Sequence, residues 1–120
     1  MADELTISAK LQCVNGFVDE KDDDASFTVT QTTLSSACPG FWPVGTTEES
    51  TTFADLTTPR WVKIKNLDVT NYVEFGASTG VYLIRLKPGE SCVFPLAPSV
   101  TLYAKANVAT VNITCRCYDA

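Results

Sequence analysis

The sequence predicts an all-β chain: an antiparallel β-sandwich of about eight strands, with jelly-roll or Ig-like topology. Three observations predict it. Thr, Val and Ile contribute 16, 12 and 4 of the 120 residues. Branching at Cβ fits a pleated surface better than a helix. Apolar residues alternate with polar ones at a period of two, and no window longer than about ten residues keeps a helical period. Turn residues, among them six Gly and six Pro, punctuate the chain at roughly eight to twelve residues, the rhythm of a sandwich. One domain over residues 1–120 is the expectation, since a chain of this length buries a core without staples.

The elements follow in order. Leu5 to Cys13 alternates Leu5, Ile7, Ala9, Leu11 and Cys13 with polar residues, which predicts a strand with one buried face. Asn15-Gly16 ends it as a turn. The run Asp19-Glu20-Lys21-Asp22-Asp23-Asp24 reads as a solvated loop. It lacks the spaced acids and central glycine of the common calcium loop. Ser26 to Leu34 is a second strand with Phe27 and Val29 inward. Ser35 to Gly45 reads as a structured loop, because Pro39 and Pro43 bracket Phe41 and Trp42 and lack ladder donors. Its aromatic pair either plugs the sandwich end or projects as a contact anchor.

A short edge strand is expected around Ser50 to Phe53. Trp61 to Leu67 follows, with Val62 and Ile64 on one side and Trp61, Lys63 and Lys65 on the other. Tyr72 to Phe75, Val81 to Leu86, Ser91 to Pro95, Val100 to Lys105 and Val108 to Tyr118 complete the set. Lys87-Pro88-Gly89-Glu90 has the central Pro-Gly pair of a type II turn. In the last strand Val111, Ile113, Cys115 and Cys117 share the inward side.

Composition excludes several functions. Nine bases against 14 acids give a net charge of −5, which argues against binding to a nucleic-acid backbone. The imbalance is uneven, −7 over residues 1–60 and +2 over 61–120. No histidine is present, so the commonest general base and zinc ligand are missing. Five cysteines without a CxxC pair read as free thiols in a reducing cytosol, small buried hydrophobes and not a zinc site. Met1 to Gln12 has no apolar block of a signal peptide, and no stretch nears the roughly 20 apolar residues of a membrane span.

Enzymatic chemistry has no legible motif. Nucleophilic catalysis needs a base beside the nucleophile, and Glu48, Glu49 and Asp55 sit in a polar stretch without an apolar wall to shift them. A non-enzyme without cofactor or metal is expected. Trp42, Trp61, Tyr72, Tyr82, Tyr103 and Tyr118 offer a platform for glycan binding, although aromatics in strands usually pack.

One block goes further. Trp61-Val62-Lys63-Ile64-Lys65-Asn66-Leu67-Asp68 and Asn71-Tyr72-Val73-Glu74-Phe75-Gly76 lead to Leu86-Lys87-Pro88-Gly89-Glu90. Val93-Phe94-Pro95-Leu96-Ala97 and Leu102-Tyr103-Ala104-Lys105-Ala106 follow. In order and spacing, residues 60–119 resemble small virion proteins of tailed bacteriophages. The resemblance implies a capsid decoration (cement) protein, made in the host cytoplasm and carried on the virion surface. It further implies a homotrimer that clasps the major capsid protein. A tail, neck or head-fibre component is the alternative within the same virions, and a carbohydrate-binding module the alternative outside them. Aromatics tend to dominate interface energies, so Phe41 and Trp42, with Leu5 and Ile7 of the N-terminal segment, are the expected partner contacts.

Overall fold

In the computed structural model, residues 5–31, 36–53 and 56–120 are described. For residues 15, 18, 19, 23 and 36–39 the description covers the backbone alone. Met1 to Glu4, the stretch 32–35 that ends the expected second strand, and Asp55 lie outside it. Ten strands and no helix occur among the described residues. The chain divides into two compact units, Met1–Thr32 and Thr33–Ala120.

The first unit is a hairpin of β1 (Leu5–Asn15) and β2 (Val18–Val29). The two-residue turn Gly16-Phe17 lays the acidic run opposite β1, pairing Cys13 with Glu20 and Leu11 with Asp22. The expected loop at 19–24 is therefore strand. Ladder formation against β1 overrides the poor strand preference of aspartate. The alternation of β1 is real, but its apolar face is covered only in part. Leu11 is 76% exposed, Cys13 is exposed, and Leu5 and Ile7 are half-buried. Phe27, expected inward, is 47% exposed, and Val29 is half-buried.

The second unit is the sandwich. Its strands are β3 (Ser36–Val44), β4 (Glu49–Thr51), β5 (Pro59–Asn66), β6 (Val73–Gly76), β7 (Ile84–Leu86), β8 (Ser91–Pro95), β9 (Leu102–Ala106) and β10 (Val111–Asp119). They form two antiparallel sheets ordered β3-β10-β5-β8 and β4-β9-β6-β7. Four of the pairings nest: β3 with β10, β4 with β9, β5 with β8 and β6 with β7. A long ribbon doubled at β6–β7 and wound into two sheets makes this order, which is the jelly roll. The Ig order is excluded.

The core lies between the sheets. Val62, Ile64, Ile113 and Cys115 come from one, and Val73, Phe75, Leu102 and Ala104 from the other. Each occupies alternate positions of its strand, as the period of two requires.

Within the loop expected at Ser35 to Gly45, Ser36–Val44 is instead strand β3, a correction with a clear cause. β3 stands at a sheet edge, where one side needs no ladder donor and proline is tolerated. A bulge opposite Arg116 absorbs Cys38 and Pro39, and Gly40 takes the positive φ of 70° beside it.

Candidate functional site

The sheet order fixes where each candidate contact residue points. Trp42 faces Ile113 in register and is only 8% exposed. Its ring is core, and its Nε1–H donates to Glu49 Oε1 at 3.3 Å. The other carboxylate oxygen of Glu49 accepts the Gly45 N–H at 2.5 Å. Of the two roles open to this pair, Trp42 fills the interior one. Phe41, one residue earlier, must face the other way, and it is 58% exposed.

The outward face of the β3-β10-β5-β8 sheet can be read row by row from the register. Phe41, Thr114, Lys65 and Ser91 form one row. Arg116, Lys63 and Val93 form the next, and Tyr118, Trp61 and Pro95 a third. Lys63, Lys65 and Arg116 are exposed, and no ion pair involves them among the described residues. The four strands hold a single acid, Asp119, which is fully buried. Arg60 lies 5.8 Å above the Trp61 ring, a cation–π contact.

The outer face of the other sheet is balanced by contrast. Glu74 is opposite Arg85 on one side and Lys105 on the other. Arg85 pairs with Glu74 at 3.0 Å and covers the Tyr72 ring at 4.1 Å.

Between the edge strands β7 and β8 the sandwich opens into a cleft of about 470 Å³. Phe75, Ile84, Phe94, Leu96 and Leu102 line it, and no charged residue does. Val81 and Leu83 line it as well and are 65% and 90% exposed. The connection that carries them, residues 77–83, is fixed at two points. Glu48 accepts the Tyr82 hydroxyl, and also the Gly80 N–H at 2.8 Å. These bonds hold the Glu48 carboxyl below its usual range, the Tyr82 bond most of all. They push Tyr82 up to about 12.

Several residues of the 61–106 block brace the fold. Asn66 is fully buried, and its Nδ2 donates to the Leu86 and Asn71 carbonyls at 2.9 and 3.0 Å. Its Oδ1 accepts the Asp68 N–H at 2.8 Å, and Asp68 Oδ2 accepts the N–H groups of Thr70 and Asn71. These bonds weld the β5–β6 turn to the end of β7. The Asn71 N–H first, and then that of Thr70, lower the Asp68 pKa.

Of the cysteines whose side chains are described, Cys115 and Cys117 are buried, Cys92 is partly so and Cys13 is exposed; all four are free thiols. The expectation of buried thiols fails at Cys13, because nothing in the hairpin covers the β1 face there. Among the described residues no cluster of His, Cys, Asp or Glu is placed to hold a metal ion. Sequence reasoning missed Val81 and Leu83 as surface residues, because a strand over 81–86 would have turned alternate residues inward. Their spacing of two puts both on one side, a signal that was legible. Compared with known protein families, curated proteins and solved structures, the chain matches none.

Proposed function

We propose that the protein is a structural component of a tailed-phage virion, a decoration protein on the outer capsid surface that stabilises contacts of the major capsid protein. The observation that carries this reading is the apolar opening between β7 and β8, with Val81 and Leu83 presented at its rim. Large apolar side chains held outward around a concave apolar surface are built to be covered by protein. The two bonds to Glu48 order the 77–83 connection before any partner arrives, which lowers the entropy cost of binding.

Binding to the assembled shell alone stabilises it by mass action. A trimer engaging several capsid subunits at once adds avidity. Of the six aromatics that the glycan-binding reading names, Trp42 is interior and Arg85 covers the Tyr72 ring.

Co-sedimentation with shells stripped of this protein tests the reading. Wild type is expected to pellet with them, and Leu83→Asp to remain in the supernatant while staying folded. Failure of wild type to pellet refutes a shell partner; equal pelleting of Leu83→Asp removes the cleft from the contact.

A further inference from the structure

The two units differ sharply in charge. Met1–Thr32 holds seven acids against Lys10 and Lys21, a balance of −5, so residues 33–120 are neutral as a whole. Within that neutral part the outer face of β3-β10-β5-β8 gathers Lys63, Lys65 and Arg116 without an acid. Lys63 and Arg116 stand directly opposite each other, an arrangement that costs stability unless an anion relieves it. Trp61, Tyr118 and Phe41 stand on the same face. Aromatics and arginine are enriched at protein interfaces, and the two lysines beside them call for a partner that brings carboxylates.

The hairpin presents the complementary face. Glu20, Asp22 and Asp24 are exposed and lie on one side of β2, opposite Cys13, Leu11 and Ala9. Residues two apart on a strand repeat at about 6.8 Å, so these carboxylates share the period of Lys63 and Lys65. Lys10 and Lys21 fall on the other side of the ribbon. A two-stranded hairpin is marginal in water without a surface to pack on.

From this match we infer that the cationic sheet face is the docking site for a second copy of this chain, engaged through that copy's carboxylate row Glu20, Asp22 and Asp24 and the adjacent Leu11. The contact is heterologous: each copy gives one surface and receives the other, so repeats of one interface build a ring where the rotation closes and a filament where it does not. Repulsion between like faces rejects any other pairing of the two surfaces. The inference goes beyond the shell reading and does not need it. A chain that self-associates this way but binds no shell keeps this inference and loses the other.

Sedimentation velocity on the full chain tests it with a charge swap. Wild type is expected to self-associate at about 50 mM salt and to weaken roughly tenfold or more at about 0.5 M, where screening is strong. Lys63→Glu/Lys65→Glu and Glu20→Lys/Asp22→Lys are each expected to sediment as monomers with the circular dichroism of wild type. An equimolar mixture of the two variants is expected to associate again, since each then offers what the other lacks. A monomeric wild type at low salt overturns the inference. So does self-association of either variant alone, or a mixture that stays dissociated.

Discussion

The indole N–H of Trp42 donates to the carboxylate of Glu49 at 3.3 Å, joining the end of β3 to the start of β4. The bond satisfies the single donor of a ring that is otherwise enclosed among apolar side chains. A buried tryptophan needs such a partner.

Trp42→Ala therefore acts on stability. Loss of the ring opens a cavity and leaves Glu49 with the Gly45 N–H alone, and the expected cost is about 3–5 kcal/mol. Urea denaturation of the variant measures it. Phe41→Ala, on the opposite side of the same strand, is expected to change stability by less than about 1 kcal/mol.

Asn66→Ala removes the donor to two carbonyls and the acceptor of the Asp68 N–H in one step. Leaving buried backbone groups unpaired is expected to cost about 2–4 kcal/mol. Thermal denaturation reports it, and hydrogen exchange is expected to rise at Asp68 and Asn71 first.

Gly76→Ala tests the close approach that sets the cleft. A Cβ at this position would lie 1.9 Å from the Val81 carbonyl oxygen. The obstacle is backbone, so the 77–83 connection has to move, with an expected loss of about 2–3 kcal/mol. A melting temperature equal to that of wild type would contradict this geometry.

The ionisable groups set the pH limits. Glu48 is lowered from 4.5 in the fold, so its contribution is present above that value and fades as pH falls through the folded pKa. Tyr82 is raised to about 12 and Cys117, by burial first, to about 11. Both favour the protonated form in the fold. Their contributions are intact below the unfolded values and are lost as pH climbs from about 9 to about 12. Urea midpoints across pH check this. Tyr82→Phe is expected to flatten the upper part of the alkaline loss, and Glu48→Gln the acid side.

Much of the sandwich is visible in the chain because its strands bury one face. Val62 and Ile64 against Lys63 and Lys65, and Val111 to Cys117, have the inward sides that their alternation predicts. Lys87 to Glu90 turns as its Pro-Gly pair requires, with Gly89 at φ 80°. Alternation fails as a guide to burial in β1, where Leu5 to Cys13 has the pattern of a core strand but no sheet above it within its unit. Proline misleads at β3, because a sequence does not show which strand will stand at an edge. The docking surfaces are legible only after folding. Lys63, Arg116 and Phe41 come from three distant strands, and register alone brings them to one face.

Quantitative mass spectrometry of purified virions tests the decoration role most directly. The account predicts this chain on the order of hundreds of copies per particle, in fixed ratio to the major capsid protein, as repeated attachment across a lattice demands. About a dozen copies or fewer, or none, would contradict it.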